Sequence, residues 1–181
     1  MRWTERPAEL PLQPRSALEG RVSAAAAAAV KAGGLVVIVT DVVRTTVRAH
    51  LGSSDEERGG LLVGEVFAED PAAVSTSVAV LVSGALPALE FSSSGISLRM
   101  GSGVWERARL ARRPGEVVVG WYHSHPGLGA FFSATDRRTQ AAFFANPYSV
   151  GWVIDPFLGE EAFFVGHDCA APAALFTLSR E

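Results

Sequence analysis

Two histidines separated by a single residue stand near the start of the stretch WYHSHPGLGAFFSATD. His123 and His125 close a run of strong β-forming residues, and alternate side chains of an extended segment point to the same face. Two imidazoles placed in this way can bind one metal ion. Asp136 follows, three residues after Ser133, and adds a carboxylate. The stretch therefore predicts a metal site formed by His123, His125 and Asp136.

Three protein ligands of this kind favour a catalytic zinc ion over a structural one. Zinc in proteins is usually four-coordinate, and structural zinc sites are closed by a fourth protein ligand. Two imidazoles and one carboxylate leave one position open for water. The prediction is one Zn²⁺ per chain, with hydrolysis as the chemistry.

The same residues also have explanations that need no metal. Ser133 and Asp136 fit a capping box, in which a serine and an acidic residue satisfy free amide groups at the start of a helix. Two histidines with this spacing also occur on strands without binding a metal. Neither explanation accounts for the whole combination of H-x-H-P, six residues, and S-x-x-D in one short window.

Composition narrows the class of protein. The chain has 181 residues, of which 48% are hydrophobic and 19% charged, as is typical of a compact folded protein. A net charge of −3 argues against a nucleic-acid-binding protein, which would be basic. Cys169 is the single cysteine, so an intrachain disulfide is impossible. No apolar run reaches the length of a membrane-spanning helix, and we expect a cytoplasmic protein that does not contact a membrane.

Hydrophobic periodicity and capping signals divide the chain into alternating helices and strands. The pattern predicts a strand over 116–123 in which Val117, Val119, Trp121, His123 and His125 share one face. The predicted helices are 16–31, 40–51, 104–113 and 133–145. The remaining predicted strands are 35–39, 61–67, 74–82, 96–100, 148–155, 161–166 and 175–178.

These elements predict an α+β or mixed α/β fold. Helices and strands alternate, but hairpin signals indicate a sheet of mixed rather than purely parallel pairing. Residues 1–34 are predicted to form a tail and an alanine-rich helix, and residues 35–181 a catalytic domain. The small apolar face of the alanine-rich helix could dock on the domain, pair with a partner or stay loosely attached.

The sequence HSHPGLGAFFSATD resembles the signature of the JAMM (MPN-plus) metalloprotease family, H-S/T-H-P-x6-S-x-x-D. That family also has an upstream glutamate in the pattern E-x-x-G-x-L-x-G, which Glu57 to Gly64 match. The resemblance covers about residues 35–165, and within it GWYHSHPG and the trailing TQ look especially like the proteasome-lid deubiquitinase. It implies the MPN (JAB) fold, with a central mixed sheet flanked by helices and a zinc site similar to that of cytidine deaminases.

The resemblance also implies a role for each site residue. His123, His125 and Asp136 would bind zinc, Glu57 would act as general acid and base, and Ser133 would donate a hydrogen bond to the oxyanion. Glu56 is an alternative carboxylate, but only Glu57 has the correct spacing to the glycines that follow. The aromatic residues next to the motif are candidates for a substrate groove or for the core; they are Trp121, Phe131 and Phe132.

The function implied is a zinc isopeptidase that hydrolyses the bond after the C-terminal glycines of a ubiquitin-like or sulfur-carrier protein. Proteins of the corresponding conjugation system would be its partners. The alternatives are a catalytically silent scaffold domain that binds partners, a phage-tail-type peptidase and the bacterial branch named for DNA repair. Silent relatives lack part of the ligand set, whereas every position is filled here. The DNA-repair branch usually has asparagine where this chain has Ser124.

Overall fold

The computed structural model describes residues 10–52, 54–88, 91–94, 97–100 and 102–179. Within these ranges no helix is long and apolar enough to cross a membrane. The helices are α1 (Ala24–Ala32), α2 (Asp41–Leu51), α3 (Ser102–Ala111) and α4 (Ala134–Phe143). The strands are β1 (Gln13–Pro14), β2 (Val36–Thr40), β3 (Gly59–Ala68), β4 (Ser77–Pro87), β5 (Phe91–Ser94), β6 (Ser97–Met100), β7 (Val117–Ser124), β8 (Val150–Asp155), β9 (Glu160–Val165) and β10 (Ala174–Leu178).

One mixed sheet forms the centre of the fold. Its strand order is β10-β2-β4-β3-β7-β8-β9, and the short β1 pairs with β3. The pairs β10–β2, β2–β4 and β7–β8 are parallel, whereas β3–β4, β3–β7 and β8–β9 are antiparallel. The predicted fold class, a mixed sheet flanked by helices, is confirmed.

Helices cover both faces of the sheet. On one face, α2 packs Val43, Val47 and Leu51 into the largest cluster of buried residues. On the other face, α3 contributes Val104 and Ala108 to a second cluster, and α1 contributes to a third. The central strands β3 and β7 are therefore buried on both sides, which fixes the position of the histidines that β7 carries.

The N-terminal helix begins later than the sequence predicts. Residues Arg15–Leu18 form one 3₁₀ turn, and α1 starts at Ala24, where Ser23 accepts a hydrogen bond from the Ala26 amide at 3.2 Å. Gly20, with φ of 74°, separates the two helices. The prediction of one helix from Ser16 is therefore wrong. The alanine-rich face does dock on the sheet, because Ala26 and Val30 are buried in the third cluster.

A β-bulge in β7 changes which side chains share a face with the histidines. Leu62 pairs with Gly120 and Val63 with Val118, so Val119 is an extra residue with no partner on β3. Val117 and Val119 point towards α2, whereas Trp121 points to the opposite face. The prediction that all of them share one face is wrong, because a bulge shifts the alternation by one residue.

Two glycines of the E-x-x-G-x-L-x-G pattern lie within β3, where neighbouring groups leave no room for a side chain. A Cβ at Gly60 would lie 2.2 Å from the Leu86 carbonyl oxygen, and a Cβ at Gly64 would lie 2.0 Å from that of Leu81. These glycines allow close approach of the backbones of β3 and β4.

Gly64→Ala should lower the free energy of unfolding by about 2 kcal/mol, because the added methyl group displaces the backbone of β4. Gly103→Ala is the matched control: Gly103 is exposed in α3 with no atom within 4 Å of the added methyl, and alanine there should stabilise the helix by about 0.5–1 kcal/mol. Urea denaturation measures both. Equal effects of the two substitutions would contradict the close packing between β3 and β4.

Candidate metal centre

The predicted ligands come from two elements that meet at one end of the sheet. His123 lies near the end of β7 and pairs with Gly59 of β3. His125 follows the end of the strand, and its amide donates to the Ile154 carbonyl of β8 at 3.0 Å. The N-terminus of α4 brings Asp136 to the same place. Side chains distant in the sequence therefore converge because β3, β7 and β8 hold the backbone of the histidine segment.

Distances within this cluster suit a metal ion shared by three side chains. The Nε2 atoms of His123 and His125 are 3.1 Å apart. Asp136 Oδ1 lies 3.3 Å from His123 Nε2, and Oδ2 lies 3.4 Å from His125 Nε2. With zinc–ligand bonds of about 2.0–2.1 Å, neighbouring ligands of a tetrahedral zinc are about 3.3–3.4 Å apart. A charge-assisted hydrogen bond would be shorter, at about 2.7–2.9 Å. The three side chains therefore fit a shared metal ion.

Burial and charge favour the protonation state that a metal ligand needs for His123 and for Asp136, but not for His125. Burial lowers the pKa of His123 in spite of the adjacent Asp136 carboxylate. Burial also disfavours the charged form of His125, but Asp136 and Glu57 outweigh it and raise its pKa. Burial would raise the pKa of Asp136, yet its contacts with His123 and His125 hold that pKa well below its usual range. Asp136 is thus an anion, and His123 is neutral, at physiological pH.

Asp136 caps its helix and faces the histidines at the same time. Ser133 Oγ accepts a hydrogen bond from the Asp136 amide at 3.2 Å, and Asp136 Oδ2 accepts one from the Ser133 amide at 2.7 Å. The capping box is therefore present, and it orients the carboxylate instead of replacing its role towards the imidazoles.

His123 is held in place by aromatic packing. Trp121 stacks on its imidazole with the ring centroids 4.5 Å apart and the planes 6° from parallel. The Trp121 indole donates to Gln140 Oε1 at 2.7 Å, and Gln140 Nε2 donates to the carbonyls of Ser149 and Gly166. Gln140 belongs to the TQ that follows the motif, but it was not among the predicted site residues. Its position four residues after Asp136, hence on the same face of α4, was the available signal.

Glu57 lies beside the histidines, whereas Glu56 does not have the same environment. Glu57 is half-buried two residues before β3, and its negative charge favours the protonated form of both His123 and His125, although burial still lowers the pKa of His123. Glu56 is exposed, and its amide donates to Ser54 Oγ. The role of Glu57 as general acid and base, which the resemblance implies, stays a prediction.

The three candidate groove residues have different surroundings. Trp121 is completely buried, and Phe132 is 5% exposed and stacks on Phe164. Both belong to the core, so the prediction that they line a groove is wrong for these two. Phe131 is 46% exposed, and its ring centroid is 5.0 Å from that of His125. It stays a predicted groove residue.

Asp155 is a second buried carboxylate near the centre, and it holds the loop that follows His125. Its oxygens accept hydrogen bonds from the amides of Gly127 at 3.1 Å, Gly129 at 2.7 Å, Phe157 at 2.9 Å and Leu158 at 3.1 Å. Burial alone would raise the pKa of Asp155, but these donors lower it to about 2. Asp155 therefore joins the loop that follows His125 to the loop that follows β8.

Asp155→Asn should lower the melting temperature at neutral pH by a few degrees, because an amide group would face the Gly129 amide. The carboxylate contributes fully above its unfolded pKa of about 3.9, and its contribution disappears as the pH falls towards the folded pKa. The difference between the native protein and the variant should therefore narrow from pH 4 to pH 2. Thermal unfolding across this range tests it, with the exposed Asp168→Asn as control. A difference independent of pH would contradict this assignment.

Comparisons with known proteins agree with this geometry. Residues 25–157 match the family described as prokaryotic homologs of the JAB domain. The NAD(+) hydrolase TcpA of Theionarchaea archaeon is 51% identical over 51 residues, which are 28% of this chain and 16% of that protein. This chain is also similar to the rpn11 proteins of two yeasts, the first of which is named 26S proteasome regulatory subunit rpn11. The Schizosaccharomyces pombe protein is 37% identical over 103 residues, which are 54% of this chain and 30% of that protein.

The corresponding protein of Saccharomyces cerevisiae, named ubiquitin carboxyl-terminal hydrolase RPN11, is 50% identical over 42 residues, which are 23% of this chain and 14% of that protein. The chain thus spans 30% or less of the length of these relatives. The solution structure of a protein from Desulfitobacterium hafniense has a similar fold. Its TM-score is 0.60 at 22% identity, over 80% of this chain and 94% of that one.

The family match covers residues 25–157, which is well over half of the 181 residues, and it contains both halves of the motif. The resemblance to the JAMM family is therefore confirmed, and the chain belongs to the prokaryotic homologs of the JAB domain.

Proposed function

We propose that this protein is a zinc-dependent peptidase or isopeptidase that hydrolyses the bond after the C-terminal glycines of a ubiquitin-like or sulfur-carrier protein. The observation that carries the proposal is the convergence of His123, His125 and Asp136, with the half-buried Glu57 beside them. The name of one relative, a ubiquitin carboxyl-terminal hydrolase, supports the substrate class.

Each side chain has a distinct task in this proposal. His123, His125 and Asp136 hold zinc, which supplies Lewis acidity and lowers the pKa of water to about 7. Glu57 accepts a proton from the attacking water and returns it to the departing amine, as a general acid–base residue does. Ser133 donates a hydrogen bond from its hydroxyl group to the oxygen that becomes negative on the scissile carbonyl, an interaction worth about 10²-fold or more in other oxyanion sites.

The surroundings of the centre suit an extended chain with small residues at its end. His123, His125 and Asp136 are at most 5% exposed, so the proposed substrate has to be a tail that can enter a narrow approach. Glycines can enter such an approach because they have no side chain. The exposed ring of Phe131 lies next to His125 and would contact the tail. The proposal therefore assigns selectivity to the exclusion of larger residues.

The test uses purified protein loaded with zinc and a ubiquitin-like domain ending in two glycines. That domain is joined to a reporter through a linear peptide bond in one substrate and through a lysine isopeptide bond in another. A third substrate has valine in place of the last glycine. Cleavage after the glycines that stops with a chelator and resumes with zinc is the expected result. Bound zinc without cleavage of any substrate would favour the silent scaffold, and equal cleavage of the valine substrate would favour a general peptidase.

A further inference from the structure

Ser124, the residue between the two histidines, contacts the backbone of Arg58, which directly follows Glu57. Ser124 is 1% exposed, and its Oγ accepts a hydrogen bond from the Arg58 amide at 2.9 Å. The Ser124 amide donates to the Arg58 carbonyl at 2.8 Å. The backbone of Arg58 is thus bound on both its amide and its carbonyl by one residue of the histidine motif.

These contacts lie where the ladder between β3 and β7 ends. The last paired residues are Gly59 and His123, and the segment 54–58 before them has no regular secondary structure. The Arg58 amide belongs to the peptide unit that joins it to Glu57. A hydrogen bond to that amide therefore fixes the orientation of the peptide plane next to the Glu57 Cα, which sets the direction of the glutamate side chain.

We infer that Ser124 is a positioning residue that holds the Glu57 carboxylate against the metal centre through the Arg58 amide. The inference rests on the proposed function, in which Glu57 transfers the proton. The inference gives a reason for a hydroxyl group between the histidines. Paired strand residues bind each other through backbone groups alone. Ser124 adds a side-chain acceptor one residue beyond the last pair of the β3–β7 ladder.

The experiment compares Ser124→Ala, Ser124→Thr and Glu57→Gln, each loaded with zinc, and the double variant Ser124→Ala with Glu57→Gln. Loss of the hydroxyl should lower kcat by about 10–100-fold with KM and zinc content unchanged, since a small displacement of a catalytic group has an effect of this size. Ser124→Thr keeps the hydroxyl and should restore most of kcat. In the double variant Ser124→Ala should cause no further loss, because its effect passes through Glu57.

Amide hydrogen exchange provides a readout that does not depend on turnover. In Ser124→Ala the Arg58 amide should lose protection, while the Ser124-position amide, which donates to the Arg58 carbonyl, should stay protected. Undiminished protection of Arg58, or multiplicative losses of kcat in the double variant, would overturn the inference. If the native protein cleaves no substrate, the proposed function fails, and exchange at Arg58 still decides whether Ser124 holds this segment.

Discussion

Replacing Glu57 by glutamine should reduce the rate of hydrolysis by about 10²–10⁴-fold while zinc remains bound. Glutamine has nearly the same shape as glutamate but cannot accept the proton of the attacking water. Zinc content should not change, because the ligand atoms of His123, His125 and Asp136 form a cluster that does not include Glu57. Steady-state kinetics and metal analysis of the same preparation measure the two quantities.

The matched control is Glu56→Gln, which removes the same charge from the adjacent, exposed residue. It should retain the native rate, since nothing places its carboxylate at the histidines. Full activity of Glu57→Gln would remove Glu57 from its assigned role. Equal losses in both variants would show that the charge of the segment matters rather than one carboxylate.

Loss of a direct ligand is the second change with a large expected effect. His125→Ala and Asp136→Asn should each lower the affinity for zinc by more than about 100-fold. Loss of a residue that only hydrogen-bonds a metal ligand lowers it by about 10–100-fold, and loss of the ligand itself should cost more. Cleavage should fall to the uncatalysed level. Asparagine keeps an oxygen that can accept from the Ser133 amide, so the helix cap survives while the negative charge is lost. Zinc titration monitored by calorimetry measures the affinity.

His167→Ala is the matched control for the histidine, because His167 is exposed and lies outside the cluster. It should bind zinc and cleave substrate as the native protein does. Circular dichroism establishes whether each variant keeps its helices, which separates loss of metal from loss of fold. Native zinc affinity in His125→Ala or Asp136→Asn would exclude that residue as a ligand.

Much of the site could be predicted because its spacing is local. His123 and His125 are two residues apart on one strand, and Ser133 and Asp136 belong to one helix turn, so periodicity alone groups each pair. The prediction that the two pairs meet came from their closeness within one short window, and the resemblance to a family supported it; the spacing does not state how β7 and α4 pack. The fold class could also be predicted, because helices and strands alternate along the chain and hairpin signals indicate mixed pairing in the sheet.

Features that depend on contacts between distant strands could not be predicted. The extra residue Val119 shows in the sequence only as another valine, and its effect arises from the register that β3 imposes on β7. Gln140 and Asp155 are polar residues whose buried partners come from other elements, so their sequence neighbours do not reveal their role. Trp121 and Phe132 adjoin the motif, but adjacency does not say whether an aromatic ring faces a groove or the core.

The unpaired Val119 divides β7 into two halves whose alternation is out of phase. Before it, odd-numbered residues face α2; after it, even-numbered Tyr122 does, and Trp121 and His123 face the side of α3 and α4. Deleting this one residue would restore a single phase, so either the half of β7 before it or the half that carries His123 would present its side chains to the opposite face of the sheet. The unpaired Val119 thus determines which face of the sheet carries the imidazole of His123.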